Sequence, residues 1–130
     1  MTVQSRLQAL LERHGAIAGT AHELRGDLLH LVAQVNIPPV VQERSRTIPC
    51  GKGMAGLAWE RAAPVQTCNL KTDQTGDVQP GAKAVDAAAA VAIPVGEPFC
   101  GVIGLAFAHT GELPAEAVAQ MQAEAGAVLD

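Results

Sequence analysis

The fold of this chain is indicated most strongly by residues 47–61, whose sequence is TIPCGKGMAGLAWER. A short apolar approach leads into a turn that contains Gly51, Gly53 and Gly56, and the residues after Gly53 can form a helix. Glycine lets the backbone turn sharply and approach a neighbour closely. The first N–H groups of such a helix point back into the turn. We therefore expect a strand, a tight turn and a helix, with a site for an anion or another polar ligand beside the turn.

The three glycines also match the G-x-G-x-x-G pattern of dinucleotide-binding proteins. That pattern requires a buried parallel strand, a crossover helix and a second strand that ends in an acidic residue. Asp73 stands near the position of that acid, but Pro49 interrupts the first strand, because proline cannot donate to a sheet ladder. The last two predicted strands are joined by a short turn and not by a helix. These features argue against a dinucleotide site.

Composition predicts a single small-residue core and excludes several partners. The chain has 130 residues and is 48% hydrophobic, yet it contains one Trp, two Phe and no Tyr. We expect one domain over residues 1–130, with closely packed small side chains. The net charge of −4, the lack of a basic run and the scarcity of aromatic residues argue against nucleic acid and against an anionic membrane surface.

Three cysteines, an odd number, stand in a chain whose first residues show no signal-peptide pattern; they are Cys50, Cys68 and Cys100. We expect reduced thiols and a cytoplasmic protein. No apolar run reaches the roughly 18 residues that a membrane span requires. Cys68 and Cys100 lie in apolar strands and are predicted to be core residues. The four histidines, His14, His22, His30 and His109, are dispersed without metal-site spacing and are predicted at the surface or at strand edges.

Periodicity and turn residues predict an α+β domain with a mostly antiparallel sheet. The predicted order is a helix over 5–14, a hairpin over 16–24 and 28–35, a short helix after Pro38, a brief strand, the glycine turn and its helix, a strand over 64–68, a long polar loop from Asn69, a hairpin over 87–95 and 100–108, and a helix from Pro114. The loop is too long for an ordinary connection and is typical of a lid or a disordered segment.

This order resembles that of the GAF domains, small sensory modules related in architecture to PAS domains. The residues that carry the resemblance are 46–56, 64–67, 89–95 and 101–107. The resemblance implies a six-stranded antiparallel sheet with the N- and C-terminal helices on one face. It also implies a pocket on the other face, under the helix after Gly53 and the loop 69–86.

The ligand of that pocket, and any cofactor, is unknown from the sequence, because function in this family varies with the pocket. Cyclic-nucleotide GAF domains carry a polar signature of which Asn69, Lys71 and Asp73 match only the start. Photoreceptor GAF domains need a cysteine on a helix beyond the long loop, with aromatic residues around the chromophore, and the loop here contains neither.

The main enzymatic alternative is the free methionine-(R)-sulfoxide reductase, which resembles this chain in architecture. Its chemistry needs a nucleophilic thiolate and a second thiol that resolves the intermediate as a disulfide. Met54 or Ala55 stands where the first cysteine of that family is expected, and Val85 stands in place of the second. Cys50 and Cys68 could still meet across neighbouring strands, which would give a different thiol pair.

Seven residues are predicted to contact a ligand, each with a structural alternative. Cys50 and Met54 stand beside the glycine turn or pack in the core. The polar residues belong to a lid or to a solvated loop. The run of alanines from Ala87 to Ala90 leaves space on a pocket-floor strand, which a ligand or bulky neighbours would fill. The predicted ligand-binding set is Cys50, Met54, Cys68, Asn69, Asp73, Asp86 and Ala90, with no catalytic and no metal-binding residue.

Three functional hypotheses follow. The preferred one is a small-molecule-binding regulatory domain without catalysis, which forms a homodimer through its terminal helices. The second is a thiol-dependent reductase of a small oxidised metabolite. The third is a degenerate domain used only for dimerisation, with a seam formed by apolar helix faces. Those faces contain Val3, Leu7, Leu10, Val118, Met121 and Val128.

Overall fold

The computed structural model describes residues 1–130, and its centre is one sheet of six strands. The order across the sheet is β3-β2-β1-β6-β5-β4, and every neighbouring pair runs antiparallel. The predicted α+β class and six-stranded antiparallel sheet are therefore confirmed. The strands are β1 (Ala18–Arg25), β2 (Leu28–Val35), β3 (Thr47–Pro49), β4 (Val65–Thr67), β5 (Ala90–Val95) and β6 (Gly101–Ala106).

Four α-helices and two 3₁₀ helices complete the fold. The first helix begins at Val3 and not at Ser5, because Thr2 caps it: the Thr2 hydroxyl accepts from the Ser5 N–H at 3.0 Å, and the Ser5 hydroxyl accepts from the Thr2 N–H at 3.0 Å. No helix has both the length and the hydropathy needed to cross a membrane. The helices are α1 (Val3–His14), α2 (Pro39–Arg44), α3 (Gly53–Arg61) and α4 (Ala115–Ala125), with 3₁₀ helices at Pro80–Ala84 and Gly126–Leu129.

The larger core lies between the sheet and the terminal helices α1 and α4, which pack side by side on one face as predicted. Leu7, Leu10, Met121 and Val128 are at most 3% exposed within this core. Because the sheet of the same chain already covers these side chains, they are not free to form the seam expected between two copies. A homodimer through the terminal helices stays a prediction.

The opposite face of the sheet is covered by α2, α3 and the segment between β4 and β5. The predicted strand, turn and helix at residues 47–61 are confirmed, since Gly51 and Gly53 adopt φ values of +86° and +66°. A Cβ atom on Gly56 would lie 2.6 Å from the carbonyl oxygen of Pro49. The Gly51 N–H donates to the Gly56 carbonyl at 2.8 Å and closes the turn. This turn aims the start of α3 at the space above the sheet.

Candidate ligand-binding site

A cavity of about 580 Å³ lies between the sheet and this second layer. Cavities that hold small molecules span roughly 300–1,000 Å³, so the volume fits an organic ligand. Residues of β1, β5 and β6 form the floor, while α2, the start of α3 and the segment before β5 form the walls. The sequence correctly placed the pocket under α3 and the long loop, but it did not predict the contribution of α2.

The floor is deep because its residues are small. Ala90 and Ala92 come from β5, and Gly104 and Ala106 come from β6. The alanine run was expected to leave space on this floor, and Ala90 does line the cavity. Ala89 belongs instead to the core under the terminal helices, and β5 begins at Ala90 and not at Ala87.

The long loop 69–86, which follows β4, forms a packed lid that is held by hydrogen bonds and an ion pair. The Lys71 ammonium donates to the carbonyl oxygens of Lys83 and Val85 at 2.7 and 2.8 Å. Arg61 of α3 forms an ion pair with Asp77 at 3.2 Å. Apolar lid side chains then turn towards the cavity, namely Leu70, Val78, Ala82 and Val85. These contacts close the wall opposite the floor.

Two of the predicted polar ligand contacts hold the lid itself together. Asp73 accepts from the Thr67 hydroxyl at 2.5 Å and from the Thr75 N–H and hydroxyl at 2.9 and 2.6 Å. These hydrogen bonds, the one from Thr67 first, lower the pKa of Asp73. Asn69 accepts from the Lys71 N–H at 2.9 Å. Neither Asp73 nor Asn69 lines the cavity.

Of the seven residues predicted to contact a ligand, the structure places Met54 and Ala90 on the cavity wall and floor. The other five lie outside the lining; they are Cys50, Cys68, Asn69, Asp73 and Asp86. Asp86 is exposed beside the lid. The lid therefore contributes mainly apolar side chains to the cavity, where the sequence interpretation expected its polar ones.

The cysteines differ most from expectation. All three are exposed, so the prediction that Cys68 and Cys100 belong to the core is wrong. Cys50 follows β3 and Cys68 follows β4, and these two strands form opposite edges of the sheet. The suggestion that Cys50 and Cys68 meet across neighbouring strands is therefore also wrong. Cys50 and Cys68 stand just beyond the ends of short edge strands, where burial is incomplete, and Cys100 stands in the turn before β6.

His22 is the main site residue that the sequence interpretation missed. It was expected at the surface or at a strand edge, but β1 is a central strand and His22 is 3% exposed. It lines the cavity, and its Nδ1 atom has no hydrogen-bond partner. Burial lowers the pKa of His22 from 6.5 to about 4, so the ring is neutral near pH 7. Successive residues of a strand point to opposite faces of the sheet, so Thr20 and His22 share the face opposite to that of Ala21. This alternation in the sequence could have placed His22 on the cavity side.

The charged residues of the lining are all basic. Arg44 at the end of α2 and Lys52 before α3 line the cavity, and no Asp or Glu does. Neither cation takes part in an ion pair. The N-terminus of α3 also meets the cavity and has no side-chain cap. The mouth of the cavity, where Arg44 and Lys52 are exposed to solvent, is thus a region of positive potential above an apolar floor.

Comparison with known proteins supports the fold and leaves the function open. No protein-family model matches the sequence, and no curated protein matches it at a significant level. Among solved structures, the chain is similar to the type II free methionine-R-sulfoxide reductase of Thermoplasma acidophilum, with a TM-score of 0.77, 18% identity, and coverage of 96% of this chain and 85% of that one.

Two GAF domains of other proteins have similar structures. The GAF domain of an Acinetobacter phosphoenolpyruvate-protein phosphotransferase has a TM-score of 0.73, 13% identity and coverage of 99% of this chain and 82% of that one. The second GAF domain of DevS from Mycobacterium smegmatis has a TM-score of 0.69, 17% identity and coverage of 97% and 86%. These likenesses show that the chain has the GAF fold, which is shared by sensory domains and by reductases.

Proposed function

We propose that this chain, which has the GAF fold, is a small-molecule-binding regulatory domain that does not itself catalyse thiol chemistry. The observation that carries the proposal is the cavity of about 580 Å³, whose floor contains the buried, neutral imidazole of His22. The lining combines apolar side chains with the basic residues Arg44 and Lys52, so the cavity suits a small molecule that has both an apolar part and a polar group.

The positions of the cysteines support binding over reduction. A thiol reductase needs a thiolate within reach of its bound substrate and a second thiol within reach of the first. None of the three cysteines lines the cavity, and Cys50 and Cys68 stand at opposite edges of the sheet. The decisive assay is thioredoxin-coupled reduction of free methionine-(R)-sulfoxide, for which we expect no turnover. Turnover that is lost in Cys50→Ser would replace the proposal with the reductase function.

Native mass spectrometry of the purified protein, followed by denaturation and identification of released compounds, tests the proposal directly. We expect a bound small molecule, or thermal stabilisation by at least one compound of a metabolite library. Ala90→Leu fills the cavity floor and should abolish either signal, while Ala119→Leu makes the same change on the exposed side of α4 and should preserve it.

Met54→Trp provides a second cavity-filling variant at a half-buried position, should Ala90→Leu not fold. Circular dichroism establishes folding for each variant. The proposal is contradicted if the wild-type mass contains no ligand and no compound raises its melting temperature. It is also contradicted if the folded cavity-filling variants bind as well as the wild type does.

A further inference from the structure

We infer that the cavity selects an organic anion with an apolar body, held by Arg44 and Lys52 at the mouth and by His22 at the floor. This inference rests on the proposed binding function and adds the chemical class of the ligand. It is carried by the arrangement of charge, hydrogen-bonding groups and apolar surface around one cavity.

Arg44 and the residue that follows Lys52 approach the same short stretch of the lid, residues 79–81. Arg44 lies over Gly81, where its Nη1 atom is 2.9 Å from the position that a Cβ atom would occupy. A Cβ atom on Gly53, the residue after Lys52, would lie 3.2 Å from the Gln79 side chain. Arg44 and Gly53 therefore flank the stretch 79–81, and Lys52, which precedes Gly53, lines the same cavity. A side chain at position 81 would displace the guanidinium, so glycine there leaves room for Arg44.

No carboxylate neutralises these cations. Glu43 pairs with Arg46, and the carboxylate of Glu60, which lies beside Gly51, forms no ion pair with either cation. Both Arg44 and Lys52 are exposed, so water screens them while the cavity is empty. A ligand that fills the cavity displaces water from the mouth and strengthens their attraction for its negative group. Arg44 can bind a carboxylate or a phosphate through two donors.

The start of α3 adds to the same preference. Gly53, Met54 and Ala55 form its first turn and line the cavity, and the helix has nine residues without a side-chain cap. The unpaired N–H groups at such an end attract negative charge. His22, which is 3% exposed, lines the floor of the same cavity and adds a neutral hydrogen-bonding group to the site.

The floor determines the rest of the ligand. Fifteen of the 28 lining residues are hydrophobic, and the floor strands contribute alanine and glycine. Such a surface favours an aliphatic or aromatic body over a saccharide. Neutral His22 can donate or accept one hydrogen bond from the floor, so it also suits a ligand with a hydroxyl or carbonyl group.

A matched pair of fluorescent probes tests the inference: 1-anilinonaphthalene-8-sulfonate carries a negative charge, and N-phenyl-1-naphthylamine has the same rings without it. Both are titrated into the wild type, into the Arg44→Gln/Lys52→Gln double variant and into Arg13→Gln. The last variant removes the same type of charge from the opposite face of the sheet. Arg44→Lys keeps the charge and serves as a rescue variant.

For the anionic probe we expect the Kd to rise about tenfold in the double variant, to change little in Arg13→Gln and to rise less in Arg44→Lys. The Kd of the anionic probe should also rise with salt, while that of the neutral probe should be the same in all four proteins. Equal losses for both probes in the double variant, or no loss for either, would overturn the inference.

The probes also separate failure of this inference from failure of the proposed function. If both bind saturably, are blocked by Ala90→Leu and show no dependence on Arg44 or Lys52, the cavity binds ligands without selecting anions. If neither probe binds, the inference is contradicted, and the ligand screen described above decides the proposed function. If both probes bind and Ala90→Leu leaves binding unchanged, both the inference and the proposed binding function are contradicted.

Discussion

Thr20 on β1 lies directly opposite Gly104 on β6, and the Thr20 hydroxyl oxygen is 2.7 Å from the point where a Cβ atom on Gly104 would lie. Thr20 thus occupies the space that the missing side chain leaves. Both residues line the cavity, so this pair determines the shape of the floor between the two central strands.

We predict that Gly104→Ala lowers the free energy of unfolding by about 1–3 kcal/mol, because the new methyl group forces the Thr20 side chain out of its position. Thr20→Ala removes the obstructing atom, so the double variant Thr20→Ala/Gly104→Ala should regain most of that loss. Urea unfolding of the two single variants and the double variant completes a double-mutant cycle. Strictly additive losses would show that the two residues do not share this space.

We predict that His22 makes stability depend on pH. Burial lowers its pKa to about 4 in the folded protein, whereas the unfolded chain titrates near 6.5. The unfolded state therefore binds a proton first as the pH falls. The free energy of unfolding is therefore highest above pH 6.5. It falls by about 3 kcal/mol as the pH is lowered from 6.5 to 4.

Urea unfolding at intervals between pH 7 and pH 4 measures this effect. His22→Gln should flatten the decline, while His109→Gln, which alters an exposed imidazole, should leave the decline as in the wild type. If the wild type and His22→Gln lose stability in parallel, the ring of His22 is not held neutral by burial.

The fold was predictable because its signals are local. Gly51 and Gly53 adopt positive φ values that favour glycine, and they mark the turn before α3. The alternation in 28–35 and the Gly96 turn indicated the two hairpins, and apolar spacing located the terminal helices. Each of these features is encoded within a few neighbouring residues, so a single sequence suffices to place them.

The cavity was only partly predictable because contacts between distant segments build it. Arg44 reaches the mouth only because α2 packs against the 3₁₀ helix that follows Gln79. His22 is buried only because β1 pairs with both β2 and β6. Cys68 is exposed because it stands just beyond an edge strand. The alternation around His22 indicates which face of β1 it occupies, but the contacts that bury it, and those that position Arg44 and Cys68, come from segments distant in the sequence.

We predict that replacement by alanine destabilises the protein at Gly56 and stabilises it at Gly126. At Gly56 the new Cβ atom would lie 2.6 Å from the Pro49 carbonyl oxygen, a backbone atom fixed by the glycine turn, so Gly56→Ala should cost about 2 kcal/mol or more. Gly126 has helical φ and ψ of −58° and −31° with no atom within 4 Å of its Cβ position. Gly126→Ala should stabilise the protein by about 0.4–1 kcal/mol.

Thermal and urea unfolding of Gly56→Ala and Gly126→Ala provide the comparison, with each variant serving as the control for the other. If Gly56→Ala leaves the free energy of unfolding unchanged, the turn can relax to accept the methyl group. The close approach of α3 to β3 would then not be required for the fold.

We predict that oxidation does not join Cys50 to Cys68 within one chain. A disulfide requires Cα atoms about 4.4–6.8 Å apart, and these residues follow strands at opposite edges of the sheet. After treatment with diamide, intact mass under denaturing, non-reducing conditions should show free thiols, or links between chains that no longer form when the protein is diluted before oxidation. Because both cysteines are exposed, Cys50→Ser/Cys68→Ser should change the free energy of unfolding by less than about 0.5 kcal/mol. A monomer that is lighter by two hydrogens, with peptides mapping to Cys50 and Cys68, would contradict the strand order described above and reopen the dithiol chemistry.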